Sequence, residues 1–90
     1  MEITNVNKKG TTRVSEDIRI KYNMSANKSG GVNTITANIT KDDVIVGFYN
    51  ASVNGVLGLS FREDNGLTTE EMKQIFDNAI NDSAEILNKQ

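Results

Sequence analysis

Ninety residues with no cysteine, histidine, tryptophan or proline make a single domain, residues 1–90, with a modest core, because so short a chain buries only about 60% of the surface it exposes when unfolded. Without cysteine there is neither a disulfide framework nor a thiolate metal site, and without histidine the commonest general base and metal ligand are gone, which excludes most zinc chemistry and every histidine-based triad. The net charge of −2 conceals an asymmetry: seven Lys/Arg against three acids up to Lys41, then three against nine, a distribution that directs attention to where the charges lie in space.

The N-terminal segment Met1–Asn5 has no basic region and no apolar run, and no stretch approaches the ~20 apolar residues of a membrane span. A cytoplasmic location and no membrane partner are expected. Ile3 and Val6 are available for a short fifth strand or an edge cover, but Asn5, Asn7, Lys8, Lys9 and Gly10 favour a loop directly afterwards.

Four apolar alternations follow: Ile18, Ile20, Tyr22, Met24; then Ile35, Ala37, Ile39; then Val44, Val46, Phe48; then Leu57, Leu59, Phe61. Side chains on a strand alternate with period two, so each set defines one buried face. With Ser29-Gly30 as the first turn, Met24 faces Ile35, Tyr22 faces Ala37 and Ile20 faces Ile39. With Lys41-Asp42 as the second, Ile39 faces Val44 and Ile35 faces Phe48. With Asn54-Gly55 as the third, Phe48 faces Phe61. The expectation is a four-stranded antiparallel meander without a frame slip, its core built on the Phe48–Phe61 pair beneath Phe76 or Ile80.

A helix then starts at a clear signal. Thr68 caps it, Glu71 three residues on bonds back, and Leu67 and Met72 form a hydrophobic staple. Its apolar stripe, Met72, Ile75, Phe76, Ala79, Ile80, Ala84 and Leu87, faces the sheet, with Lys73, Asp77, Asn81, Asp82 and Glu85 left for water. The fold class is therefore α+β, a ββββα domain with the helix packed on one face. Because the helix follows the last strand directly, it should lie nearest the third and fourth predicted strands and leave Ile18, Ile20, Tyr22 and Met24 only partly shielded, a gap that a second copy in a homodimer would cover.

Two surfaces are candidates for function. One end of the meander collects Glu16, Asp17, Asp42, Asp43, Glu63 and Asp64, close to Glu70 and Glu71 at the helix start. Acids suit a helix N-terminus and charged hairpin ends protect edges; the functional alternative is that this rim meets a basic protein surface. Divalent-cation binding would use the same carboxylates, but their spacing matches no calcium-loop pattern. The outward sheet face is polar: Arg19, Lys21, Asn23 and Ser25 lie beside Thr34, Thr36, Asn38 and Thr40, with Tyr49 and Ile45 as anchors and Lys21 and Arg62 supplying charge. A base-stacking platform would want two or three aromatics there, and only Tyr49 is expected on it.

No nucleophile elbow or phosphate loop is present, so catalysis and cofactors are not expected. The Asn/Ile/Lys-rich composition is what an accessory protein of an AT-rich bacterium or its phage would carry. The functional expectation is a small non-enzymatic protein that occupies a surface of another macromolecule, a protein above all, as an inhibitor or adaptor. The alternative is a small nucleic-acid-binding domain using Arg19, Lys21, Tyr49 and Arg62.

Overall fold

The computed structural model describes residues 6–26, 31–53, 55 and 57–88. They form β1 (Val6–Arg13), β2 (Ile18–Ala26), β3 (Val32–Lys41), β4 (Val44–Ser52), β5 (Leu57–Phe61) and α1 (Thr69–Asn88). The strands make one antiparallel sheet in the order β1-β2-β3-β4-β5, and α1 packs on one of its faces. The architecture is α+β, as expected, with five strands. No helix among the described residues is long and apolar enough to cross a membrane.

The first difference from expectation is β1. Lys8, Lys9 and Gly10 do not form a loop; they pair with Met24, Asn23 and Tyr22 in an eight-residue ladder running from Val6↔Ala26 to Arg13↔Arg19. Ladder pairing along β2 outweighs the weak strand propensity of these residues, and an edge strand is where lysines belong, because they deter further pairing.

The pairing of β2 with β3 is the expected one, with Met24↔Ile35, Tyr22↔Ala37 and Ile20↔Ile39. The turn residues Asn27–Gly30, including Ser29-Gly30, lie outside the described residues. Ile18, Ile20, Ile35 and Ile39 are fully buried.

A frame slip occurs in β4. The β3–β4 turn is Asp42-Asp43 rather than Lys41-Asp42, with φ of 50° and 66°, the left-handed pair of a type I′ hairpin turn, which Asp tolerates. Lys41 pairs with Val44 and Thr40 with Ile45, but Ile39 then pairs with Gly47, leaving Val46 as the extra residue of a β-bulge. The bulge inverts the rest of the strand. Tyr49 (2% exposed) and Ala51 (4%) enter the core, and Phe48 (47%) turns out to the opposite face. The expected Phe48–Phe61 pair is replaced by Phe48↔Ser60 and Gly47↔Phe61. The physical reason is visible beyond Phe48: the unslipped frame would bury Asn50, whereas the slipped one buries Tyr49 and Ala51 and leaves Asn50 in water. Gly47 accommodates the bulge, since a Cβ there would come within 2.7 Å of the Ser60 carbonyl and 3.0 Å of the Phe61 ring.

The helix start is as expected. The Thr68 hydroxyl accepts from the Glu71 amide at 3.1 Å, and the Glu71 carboxylate accepts from the Thr68 amide at 2.9 Å. The buried face, however, is rotated. Ile75 and Ala79 are fully buried and Ser83 nearly so, whereas Phe76 is 42% exposed and Ala84 faces water. Polar partners on the sheet set this rotation. The Tyr49 hydroxyl and Ser83 Oγ share a hydrogen bond of 2.7 Å, and Tyr22 and Thr12 each donate to Asp82 Oδ2 at 2.7 Å. Asp82, expected in water, is thus the acceptor that satisfies a buried phenol. Nor does α1 lie over the last two strands. Its closest backbone approach is to β3 and β4 and its Asp82 reaches Thr12 and Tyr22 on β1 and β2, so Ile18, Ile20 and Tyr22 are covered, and the open apolar flank is at β5, where Leu57 is 49% exposed.

Candidate interaction surface

The direct pairings place the outward side chains in rows across the sheet, Arg13–Arg19–Thr40–Ile45, then Thr11–Lys21–Asn38–Phe48–Ser60, then Lys9–Asn23–Thr36–Asn50–Gly58, with Thr40 itself buried within its row. None of these residues is acidic. Lys21 and Ile45 occupy this face as the alternation requires. Tyr49 does not, because the Val46 bulge sends it to the core and puts Phe48 in its place. Arg62 is exposed one residue beyond β5, its amide bonded to the Val46 carbonyl at 2.9 Å, so it borders the face instead of lying within it.

Two cations join from β1, Lys9 and Arg13, which the loop expectation had hidden. Their signal was present: Lys9, Thr11 and Arg13 alternate with Gly10 and Thr12 at strand period. Arg13 and Arg19 are direct cross-strand neighbours, and Arg13 Nε donates to the Ser15 carbonyl at 3.3 Å. Among the described residues, Lys9, Arg19 and Lys21 have no carboxylate partner. The Lys41–Glu71 ion pair, at 3.3 Å, lies at the acidic end.

At that end the expected residues partly converge. The Asp42 amide donates to the Asp17 carbonyl at 2.9 Å, joining the β3–β4 turn to the β1–β2 connection, and the Ser15 hydroxyl holds the Asp17 carboxylate at 2.8 Å. Asp42, Glu63 and Asp64 border one open depression, which Lys41 and Arg62 also line. Glu16, Asp17 and Asp43 do not line it, and Glu16 and Asp43 are exposed. No group of three acids among the described residues is arranged to hold a metal ion. Lys41 neutralises part of the cluster, lying 3.3 Å from both Glu71 oxygens and from the Gly66 carbonyl. The backbone hydrogen bond from Thr68, reinforced by Lys41, holds the Glu71 carboxyl below the usual carboxylate range.

A third feature is the groove between β5 and α1, lined by Leu59, Phe61, Met72 and Phe76 and flanked by Lys73 and Asp77. It is open because β5 has only five residues and α1 lies inboard of it. On the far side of the helix, burial pushes the Tyr22 phenol well above its ordinary range, with Asp82 beside it adding to the effect. That network fixes the helix on the sheet. Comparison with family models, curated proteins and solved structures returns no match.

Proposed function

We propose that this chain is a non-enzymatic binding protein of the cytoplasm, acting as an inhibitor or adaptor by occupying a surface of another macromolecule, and that its outer sheet face is the contact. The observation that supports this most is the segregation of charge: Lys9, Arg13, Arg19 and Lys21 share an acid-free face with the exposed ring of Phe48. An unsatisfied cationic field steers a partner of opposite charge, and one aromatic anchor near the middle supplies contact area.

A second reading keeps the acidic end as the contact for a basic protein surface, supported by the way Asp42, Glu63 and Asp64 border one depression. Capture from the native host with variants separates the two. Lys21→Glu with Phe48→Ala tests the outer face. Asp42→Asn with Asp43→Asn tests the acidic end, asparagine being chosen because both positions have positive φ. Loss of the captured partner with the first pair alone supports the outer face, and loss with the second pair alone transfers the function to the acidic end. Loss with neither refutes both.

The same proposal includes self-association. The expected gap beside β2 is closed, so the surface for a second copy moves to β5, whose sequence Leu57–Phe61 carries no charge and whose flank exposes Leu57 and Phe76.

A further inference from the structure

We propose that the macromolecule taken by the outer face is a single-stranded nucleic acid, with Phe48 stacking on a base and the cations of β1 and β2 contacting backbone phosphates. This rests on the outer face being the contact surface, and it names the partner.

Three observations carry it. First, Phe48 has polar partners on both sides across the sheet, with Ile45 the one other apolar side chain in these outer rows. Its cross-strand neighbours are Asn38 and Ser60, which are short and polar and leave the ring 47% exposed. A protein contact surrounds its aromatic anchor with apolar area, whereas a single base needs one π-face and polar groups for its edges; one ring makes a one-base site, short of the two or three aromatics of a full stacking platform. Second, the cations lie to one side of that ring. Lys21, Asn38 and Phe48 occupy one row on β2, β3 and β4, which puts Lys21 about 10 Å from Phe48 at ~4.8 Å per strand, a span comparable to one extended nucleotide. Third, Arg13 and Arg19 are directly opposite each other. Like charges in that position destabilise a sheet, and a polyanion relieves the repulsion.

The chain's net negative charge does not cancel this field. The acids of α1 lie behind the sheet, on the face opposite these cations, so a polyanion docked on the outer face meets the cations first. The acidic end abuts Arg13 and Arg19 through Asp17, so Lys9 and Lys21 are the cations least shielded. A duplex fits less well, since the face presents no helix or ribbon to enter a groove.

The test is fluorescence anisotropy of labelled single-stranded DNA and RNA of roughly 12 nucleotides, within the range one small fold covers. Binding at low salt is expected, weakening with a log–log slope of about −2 to −3 if three or four phosphates are neutralised. Phe48→Ala weakens it about 5- to 150-fold, the equivalent of one lost base stack, while circular dichroism reports an intact fold. Lys21→Ala makes the slope shallower by about 0.7, and Lys73→Ala, on the helix, changes neither. Absence of binding at low salt, equal affinity for duplex, or affinity unmoved by Phe48→Ala overturns the proposal. Polyglutamate then decides what remains. If wild type binds it and Lys21→Glu does not, the outer face stands as a contact for acidic protein. If wild type binds neither polymer, the outer-face reading falls too.

Discussion

Truncating Tyr49 and Phe48 to alanine, one at a time, distinguishes the bulged register of β4 from the in-phase one. Tyr49 is 2% exposed and shares a hydrogen bond with Ser83, itself 4% exposed. Removing a buried aromatic costs about 3–5 kcal/mol, and the orphaned Ser83 hydroxyl adds on the order of 1 kcal/mol. Phe48 is 47% exposed. Full burial of such a side chain contributes about 1.5–3 kcal/mol, so losing roughly half of it, with no cavity left behind, costs ~1 kcal/mol. A domain of this size has a total stability of roughly 5–13 kcal/mol, and each kcal/mol moves the melting temperature by about 4–8 °C. Tyr49→Ala should therefore bring the protein close to unfolding at room temperature, and Phe48→Ala should shift it by a few degrees. Tyr49→Phe, which removes only the hydroxyl, should fall between them at about 1–2 kcal/mol. Urea titration followed by far-ultraviolet circular dichroism measures all three, provided the denaturant slope is unchanged. A Phe48→Ala loss equal to or larger than that of Tyr49→Ala would refute the bulge.

Other consequences are equally direct. The Tyr22 phenol is held protonated above its ordinary 10.0, so its contribution to stability is complete below that pH and is lost as pH rises beyond it; Tyr22→Phe should flatten the alkaline decline, and an unaltered decline contradicts the Tyr22–Asp82 bond. Thr68→Ala should cost about 1 kcal/mol through the lost cap. Because the Glu71 carboxyl is held below its ordinary 4.5, chiefly by the Thr68 backbone amide, that bond stabilises the fold above this pH and fades as pH falls, and thermal melts across the acid range should show less fading in Glu71→Gln, which has no carboxylate to protonate. Gly47→Ala should destabilise by roughly 1–3 kcal/mol, since its Cβ would come within 2.7 Å of the Ser60 carbonyl; an unchanged melting temperature argues against the tight packing of β4 on β5. Light scattering at micromolar concentration should give a mass above one chain that Leu59→Lys returns to one, and a single-chain mass for wild type at every concentration sinks the β5 dimer.

Much of the sheet was legible because β2 and β3 each carry a single apolar frame, and their register follows from it. β4 carries two: Val44 and Val46 in one, then Tyr49 and Ala51 in the other, with Gly47 at the junction. Choosing the first frame throughout was natural for a run ending in Phe48. The polar Asn50 that comes next, and the glycine, were the marks of a bulge. The helix misled in a related way. Selecting its stripe by residue type favoured Phe76 and Ala84, whereas the spacing 75, 79, 82, 83, 86 includes Asp82 and Ser83. Two buried tyrosine hydroxyls needed partners, and the helix supplies them. β1 resisted reading because ladder pairing, a tertiary effect, overrode local propensity. The acidic end follows directly from topology; a fifth N-terminal strand is within the expectation, but the loop expected at Lys8–Gly10 half hides the cationic face that its run to Arg13 creates.

The two margins of the sheet differ in kind. β1 presents Lys8, Lys9 and Arg13 along one border, and β5 presents Leu57–Phe61 without a charge along the other. A sheet bare on both borders is a monomer unit for a fibre, since each addition leaves a fresh border exposed. Of the two, only the uncharged border suits another strand, and the proposed isologous pairing of β5 with β5 would consume it in both copies at once. What then stayed outermost on either side would be a lysine-bearing strand. Under that proposal composition limits stoichiometry: growth through the sheet would terminate at two chains, however high the concentration.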